Sequence, residues 1–326
     1  MTTRRALLAA TAAAFPIAAA RGQAAWPDRP VKMVVGYAPG GGVDIVARLL
    51  AEPLRGALGQ PVLVENRPGA SAMIAAQSVA RGATDGHTLL MAAAGEISVN
   101  PALFKQRMTY DPARELQAVA LIATVPNVVV VHPSVPARTP AELVAYARAN
   151  PGKLSFASSG IGNPQHLAGE MLNKMAGTDI LHVPYRGAAP ALTDVAAGRV
   201  QINFSSLGPA LPLIRDGKLR AIAVTSRERM PQLPDVPPLA EAPGLEGYEL
   251  VNWFGLFAPS SMPAAQVERL HDAVAVALRD SELSSKLTDQ GGILRPMSVA
   301  EFRAFVAEET RKFTRIIEEA NISPEG

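Results

Sequence analysis

The chain has 326 residues, which suits two domains of ordinary size, and its apolar content of 48% is enough for a full core. The formal charge of +2 is close to neutral, so it gives no reason to expect nucleic acid or an anionic membrane surface as a partner. The absence of cysteine excludes disulfides, thiol catalysis, thiolate metal sites and a lipid anchor on cysteine.

The first two dozen residues have the features of an export signal. Arg4 and Arg5 form a positive start, and residues 6–20 are apolar but too short and too rich in alanine for a membrane span. Small residues at 22–24 then offer a cleavage site. The paired arginines resemble a twin-arginine signal, although ordinary secretory signals contain such pairs too. We therefore expect residues 1–24 to be a signal peptide, and the mature protein to be periplasmic without direct membrane insertion.

Short β-branched runs alternate with helical patterns through the first half of the mature chain. The run 31–37 predicts a buried strand, and the apolar spacing after Asp44 predicts a helix from about residue 42 to 58, which Pro53 should kink or split. This alternation is typical of an α/β fold with a parallel sheet and helices on both faces. The remaining predicted elements are strands at 62–64, 87–91 and 119–124, a helix at 70–80 and a loop at 92–96.

The second half repeats this order. A crossing of the chain at 125–131 and a return near 251–257 would leave two similar lobes joined by two hinge strands. We therefore expect lobe 1 to contain residues 25–124 and 252–326, and lobe 2 to contain residues 125–251. The predicted strands of this half are 153–157, 180–185, 200–204 and 219–225, and its helices cover 167–175, 188–197, 140–149, 264–279 and 302–320.

Three consecutive glycines, Gly40, Gly41 and Gly42, lie between the first strand and the first helix. Such a turn leaves the backbone N–H groups of a helix N-terminus accessible, which makes an anion site; the alternative is a tight turn that needs glycine for its geometry alone. A second turn of small residues, 158–162, occupies the matching place in lobe 2. Ligands of such sheets bind beyond the carboxyl ends of the strands, so we expect the two turns to face each other across a cleft.

A series of motifs extends from about Trp26 almost to the C-terminus. In combination these motifs resemble the Bug family of periplasmic solute-binding receptors of tripartite tricarboxylate transporters. They are Ala38-Pro39-Gly40-Gly41-Gly42-x-Asp44, Val64-Glu65-Asn66-Arg67-Pro68-Gly69, Asn100-Pro101, His166-Leu167-Ala168-Gly169-Glu170, His182-Val183-Pro184-Tyr185-x-Gly187 and Trp253-Phe254-Gly255-Leu256-Phe257-Ala258-Pro259.

The resemblance implies a type II periplasmic-binding-protein fold whose two lobes close on a small organic acid. It also implies delivery of that acid to a membrane permease with one large and one small subunit. A receptor of this kind is expected to be a monomer without a cofactor, metal site or catalytic residue.

The family holds a ligand carboxylate with backbone amides of the glycine turn and of the opposite loop. Asp44 is expected to stabilise the first helical turn more than to contact ligand, because an anion site repels it. Uncharged groups such as Ser205 could read the far end of the ligand or could cap a turn. The complete set of candidate ligand-binding residues is Tyr37, Gly40, Gly41, Gly42, Asp44, Gly95, Glu96, Ser158, Gly160, Gly162, Asn163, Gln165, Tyr185 and Ser205.

Glu96 departs from the family, whose members usually have a small or hydroxyl residue at this place. A buried carboxylate there would need a cationic partner, which would fit a ligand with an ammonium group. The alternative is that Glu96 points to solvent. The pair Ser205-Ser206 also replaces a frequent Asp-Asn pair and makes that wall less acidic.

Two other functions compete with the receptor. An exported dinucleotide-dependent oxidoreductase fits the glycine turn and the acidic Glu65 at the end of the second strand, but residues 40–45 do not fit the G-x-G-x-x-G pattern. A sensor that passes the ligand signal to a membrane kinase would use the same cleft. The scattered histidines show no metal-binding spacing.

Overall fold

The computed structural model describes residues 26–82 and 86–324. The predicted signal peptide lies outside these ranges. The strands are β1 (Val31–Val35), β2 (Val62–Asn66), β3 (Thr88–Ala93), β4 (Leu116–Val131), β5 (Ser155–Ser158), β6 (Leu181–Pro184), β7 (Ile202–Ser206), β8 (Arg220–Val224) and β9 (Val251–Pro259). The helices are α1 (Gly42–Leu58), α2 (Met73–Ala80), α3 (Asn100–Leu103), α4 (Pro112–Glu115), α5 (Pro140–Ala149), α6 (Pro164–Ala176), α7 (Ala188–Ala196), α8 (Leu207–Arg215), α9 (Ala264–Arg279), α10 (Ser281–Asp289) and α11 (Val299–Glu319).

The strands form one continuous sheet in the order β2-β1-β3-β9-β4-β7-β5-β6, with β8 paired to β4. The two ends of this order have the same arrangement: β1 lies between β2 and β3, and β5 lies between β6 and β7, with all four pairings parallel. The predicted repeat of strand, helix, strand, helix, strand is therefore present in both halves. At the centre, by contrast, β4 and β9 run antiparallel to their neighbours.

Strand β4 connects the two halves. Its first part pairs with β9 as far as Pro126 opposite Val251, and its last five residues pair with β7 and β8. The sequence predicted a strand at 119–124 and a separate hinge strand at 125–131. They are one strand because Pro126 lies at the end of its ladder with β9, where a proline is tolerated.

Three other local predictions are corrected. Helix α1 is not split at Pro53 but continues to Leu58. The predicted helix at 70–80 begins only at Met73, because residues 70–72 have left-handed backbone angles, with φ of 46°, 53° and 64°. This turn packs Ala72 closely on Gly36, where an added Cβ would lie 2.3 Å from the Ala72 Cβ. The predicted loop at 92–96 is the end of β3 followed by a π-helical turn, Gly95–Val99. Helices α8 and α10 were not predicted.

Helices α1, α6, α7 and α8 each follow a strand directly, so their N-termini lie at the carboxyl ends of β1, β5, β6 and β7. The amphipathic helices bury their apolar sides against the sheet; in α1 the buried side includes Val46, Leu50 and Leu54. The fold thus brings several helix N-termini to one edge of the sheet, where parallel α/β sheets bind their ligands.

Candidate ligand-binding site

A cavity of about 20 Å³ lies between the two halves of the fold, which is room for about one water molecule. None of its lining side chains is charged, so an anion bound there would interact with backbone and neutral groups. The lining residues are Tyr37, Gly41, Gly42, Val43, Ala93, Ser159, Asn163, Gln165, Ala188, Ser206, Asn252 and Phe254.

Two helix N-termini without a side-chain cap meet at this cavity. Gly41 is the N-cap of α1 and Gly187 is the N-cap of α7, and neither helix has a capping side chain at its start. The first N–H groups of a helix have no intrahelical partner and carry the positive end of its dipole. A Cβ added to Gly41 would lie 3.9 Å from the Ala188 backbone nitrogen, so the two N-termini are close together. This arrangement favours an anion, and a carboxylate has suitable acceptor geometry.

Asp44 holds the glycine turn in place. Its side chain accepts hydrogen bonds from the Gly40 amide at 2.9 Å, from Asn66 Nδ2 at 2.9 Å and from Arg48 Nε at 3.0 Å. Burial opposes ionisation of Asp44, but these hydrogen bonds outweigh it and lower the pKa of the carboxyl group. Asp44 does not line the cavity.

The loop 158–162 of the second half is held by side chains behind it. The Gln165 Oε1 atom accepts from the Ser159 amide at 2.9 Å, and His166 Nδ1 accepts from the Gly162 amide at 3.3 Å. Ser158 Oγ is 2.7 Å from His182 Nε2.

The two histidines behind this loop are neutral at pH 7. His182 stacks on His166 with 4.1 Å between ring centroids. Burial lowers the pKa of His166 to about 4 and, with the neighbouring His166, that of His182 to about 3. Their contacts support the loop backbone, which fits a structural role for both.

Glu96 is completely buried behind Tyr37. Its Oε2 atom accepts from the Tyr37 hydroxyl at 2.8 Å, and its Oε1 atom accepts from the Ala93 amide at 3.0 Å. Burial raises the pKa of the Glu96 carboxyl to about 7. The alternative of a solvent-facing Glu96 is therefore wrong. No cationic side chain within residues 26–82 and 86–324 pairs with this carboxylate, and its pairing with a ligand ammonium group stays a prediction.

The structure brings five of the sequence-derived candidates to the cavity wall: Tyr37, Gly41, Gly42, Asn163 and Gln165. The other nine lie outside it. They are Gly40, Asp44, Gly95, Glu96, Ser158, Gly160, Gly162, Tyr185 and Ser205. Among these, Gly95 lies against the Tyr37 hydroxyl, the Tyr185 hydroxyl donates to Asp194 at 2.7 Å, and the Ser205 hydroxyl donates to the Ser206 carbonyl at 2.9 Å.

Several lining residues were not among the candidates. Ser206 faces the cavity because side chains alternate along β7, so its neighbour Ser205 faces the opposite side. The start of α7 at Ala188 could have been found from the predicted helix, because every helix start at this edge is a possible anion site. Asn252 and Phe254 come from the hinge strand β9. Phe254 belongs to one of the motifs quoted above, but no signal in the sequence indicated Asn252.

A wider groove of about 910 Å³ runs along the hinge between segments 226–232 and 291–295. Several of its charged side chains are paired with each other, as in Arg227 with Glu249 at 2.8 Å and Lys312 with Glu309 at 3.5 Å. The N-termini of α1 and α7 do not reach it. The smaller cavity is therefore the better candidate for the ligand site, despite its volume.

Across the ranges that the structure describes, no helix is both long and apolar enough to cross a membrane. In the same ranges, no cluster of three or more His, Cys, Asp or Glu side chains is placed to hold a metal ion.

Comparison with known proteins identifies the family. The family model of the tripartite tricarboxylate transporter family receptor matches residues 46–322. The structure of Rpa4515 from R. palustris with adipate is 36% identical, with a TM-score of 0.88, over 91% of this chain and 99% of that one. The periplasmic binding protein BugD is 34% identical, with a TM-score of 0.87, over 91% and 99% of the two chains. MatC (Rpa3494) from Rhodopseudomonas palustris with bound malate is 34% identical, with a TM-score of 0.85, over 90% and 100%.

These similarities confirm the predicted two-lobed type II periplasmic-binding-protein fold. They also confirm the resemblance to the Bug proteins that the glycine turn and the other motifs indicated. Because the family model covers most of the sequence, the chain belongs to the receptor family of the tripartite tricarboxylate transporters.

Proposed function

We propose that this chain is a periplasmic receptor that binds a small organic acid in the cavity between its two lobes. The observation that carries the proposal is the meeting of the uncapped N-termini of α1 and α7 at a cavity without charged lining side chains. Such a site holds a carboxylate through preorganised N–H groups. The bound adipate and malate of the related structures have the same chemistry.

The proposed lobes are residues 25–124 with 252–326, and residues 125–251, so that β4 and β9 form the hinge. The register of these strands supports this division, because β4 leaves its ladder with β9 at Pro126 and pairs with β7 and β8 beyond it. A space of about 20 Å³ is too small for a dicarboxylate, so the lobes must lie further apart around a bound ligand than they do in this structure. Closure then excludes water and brings contacts from both lobes, as in other hinge-closing proteins.

The receptor is proposed to be exported with residues 1–24 as its signal peptide and to act as a monomer. It would deliver its ligand to a membrane permease with one large and one small subunit, which family membership supports. A receptor that signals to a membrane kinase would have the same cleft. Uptake of radiolabelled ligand by cells with and without the chain separates transport from sensing.

The oxidoreductase alternative has less support. It needs Glu65 to bind a ribose, but this carboxylate pairs with Arg67 at 2.8 Å and is not at the cavity wall. The first helical turn also contains Asp44, which would oppose a pyrophosphate.

A thermal-shift screen of residues 25–326 tests the proposal. The panel holds di- and tricarboxylates, aromatic acids, hydroxy acids, amino acids and the nicotinamide dinucleotides. A ligand at 100 times its dissociation constant adds about 2.7 kcal/mol to the free energy of unfolding. We expect stabilisation by at least one carboxylate. Stabilisation by dinucleotides alone would overturn the receptor proposal in favour of the oxidoreductase.

A further inference from the structure

The Tyr37 hydroxyl has one proton, and its hydrogen-bond partner is the carboxylate of Glu96. The hydroxyl lies 2.8 Å from the Oε2 atom of Glu96, while the Oε1 atom of the same carboxylate accepts from the Ala93 amide. Above the pKa of about 7 of Glu96 its carboxylate is ionised and can only accept hydrogen bonds, so the Tyr37 hydroxyl is then the donor of this pair. Its oxygen can then only accept a hydrogen bond from any group in the cavity that Tyr37 lines.

The environment of Glu96 supports this direction. The side chain is 0% exposed, and its carboxylate has no Lys, Arg or His partner within the part of the chain that the structure describes. Tyr110 lies nearby, but its hydroxyl bonds the Glu96 backbone oxygen and leaves the carboxylate to Tyr37 and Ala93. Helix α11 packs on the same turn and contributes the neutral Thr310, which bonds Ser98.

Two amide side chains of the cavity wall, Gln165 and Asn252, present donors. The Gln165 oxygen accepts from the Ser159 amide at 2.9 Å, so its free NH2 group is the end available to a ligand. The Asn252 oxygen accepts from the backbone amides of Ala94 at 3.3 Å and Trp253 at 2.8 Å, which leaves its NH2 group free as well. Together with the helix N-termini, these groups suit carboxylate oxygens. Tyr37 differs from these two amides, because its own proton goes to Glu96.

The Tyr37 oxygen and the glycine turn lie against the starts of different helices. A Cβ added to Gly95 would be 3.0 Å from this oxygen and 3.4 Å from the Asn163 Cα, so the phenol meets the start of α6. The glycine turn instead meets Ala188 at the start of α7. A ligand with its carboxylate on the glycine turn therefore presents a different group to Tyr37.

We infer that Tyr37 and Glu96 form a specificity pair that selects organic acids carrying a hydrogen-bond donor, a hydroxyl or an ammonium group, at the end that meets Tyr37. This inference rests on the proposed function and names its ligand class. A plain dicarboxylate would place an acceptor and a negative charge against the phenol oxygen and the buried carboxylate behind it. Tyr37 contacts the ligand, and Glu96 is a positioning residue that acts through Tyr37.

The test compares ligands matched in length. Dissociation constants are measured by calorimetry at pH 8.5, above the pKa of about 7 of Glu96. The acids are 4-hydroxybutanoate and 4-aminobutanoate against succinate, 5-aminopentanoate against glutarate, and 6-aminohexanoate against adipate. We expect the donor-bearing acids to bind more tightly than the matched dicarboxylate by about tenfold, the effect of one hydrogen bond against an unpaired buried acceptor.

Two variants separate a specificity role from a structural one. In Glu96→Gln the amide can donate to the Tyr37 oxygen and release the phenol proton towards the cavity, so the preference should disappear or reverse. In Tyr37→Phe the preference for donor-bearing acids should disappear. Adding Glu96→Gln to that variant should not change the ratio of the dissociation constants further. Glu309→Gln, which removes another buried carboxylate away from the cavity, is the matched control and should keep the wild-type ratio.

If Glu96→Gln does not fold, acidification replaces it. At pH 5.5 the preference for donors should fall severalfold more in wild type than in Tyr37→Phe, because a protonated Glu96 can donate to Tyr37, whereas the partial protonation of the dicarboxylates at this pH affects both proteins alike. If the wild-type protein binds carboxylates without preferring donor-bearing acids, this inference is overturned and the proposed function stands. The same follows if the preference survives both Tyr37→Phe and pH 5.5. Wild type that binds none of the acids counts against the proposed function and the inference together.

Discussion

The Gly40 amide donates to the carboxylate of Asp44 at 2.9 Å, and this contact closes the glycine turn onto the helix that follows it. The same carboxylate accepts from Asn66 at the end of β2, so one side chain connects the turn, the first helix and the neighbouring strand. An acidic residue at a helix start that binds anions is at first unexpected. Asp44 does not line the cavity, so the free N–H groups of the helix start remain for the ligand.

Replacement of Asp44 should therefore weaken both the fold and the binding site. Asp44→Ala removes an ionised acceptor of three donors and should lower the free energy of unfolding by about 2 kcal/mol. Urea denaturation followed by circular dichroism measures this change. Glu52→Ala on the exposed side of the same helix is the control and should leave the midpoint unchanged. Equal midpoints for the two variants would contradict the proposed role of Asp44.

Gly41 allows a sharper test of the anion site. A Cβ at this position would meet Ala38 and Ala188 atoms at 3.6 to 3.9 Å, which is ordinary contact, and its φ of −81° suits any residue. Gly41→Ala should therefore fold and bind carboxylates within a fewfold of wild type. Gly41→Asp should fold but lose binding by at least about a hundredfold, because its own carboxylate would lie at the helix N-termini where the ligand anion binds. Calorimetry with a carboxylate identified by the thermal-shift screen measures both; near-wild-type affinity in Gly41→Asp would refute the placement of the site.

The sequence predicted the parts of this architecture that depend on local patterns. The glycine turn after β1, the repeat of the two halves and the two hinge crossings all follow from apolar runs and turn residues. The left-handed turn at residues 70–72 could not be predicted, because its conformation depends on the packing of Ala72 against Gly36. Likewise, only the three-dimensional structure shows that Glu96 is buried behind Tyr37 instead of facing solvent.

The choice between Ser205 and Ser206 shows the same limit. Strand β7 is buried along its whole length, so its sequence lacks the alternation of polar and apolar residues that would reveal which side faces the cavity. Side chains along a strand alternate between its two faces. Tertiary contacts set the phase of this alternation, that is, which of the two sets of side chains faces the cavity. The structure fixes that phase by placing Ser206 Oγ 2.8 Å from the position of a Cβ added to Gly42.

This pair of serines gives a matched prediction. Ser206→Ala should weaken carboxylate binding about fivefold, the effect of one hydrogen bond of about 1 kcal/mol, with little change in stability. Ser205→Ala should leave affinity unchanged, because its hydroxyl bonds the Ser206 carbonyl and does not reach the cavity wall. Calorimetric dissociation constants of both variants decide the assignment. A larger loss of affinity in Ser205→Ala than in Ser206→Ala would reverse the phase assigned to β7.

Glu96 should make the stability of the protein depend on pH in an unusual direction. Burial raises its pKa from 4.5 to about 7, so between these values the folded protein keeps a proton that the unfolded chain has lost. Its contribution to stability is therefore full below pH 4.5 and falls as the pH rises to 7, by about 3 kcal/mol in total. Glu96→Gln has no such titration, so its free energy of unfolding relative to wild type should rise by about that amount between pH 4.5 and pH 8.

Urea denaturation of both proteins across this pH range measures the difference. Glu65→Gln is the control: the hydrogen bond from Arg67 lowers the pKa of Glu65, so removal of this carboxylate should not reproduce the effect. A constant difference between Glu96→Gln and wild type from pH 4.5 to pH 8 would mean that the buried carboxylate ionises at an ordinary pH. The Tyr37 hydroxyl would then stabilise its charge more strongly than burial opposes it, and the preference for donor-bearing ligands should persist at pH 5.5.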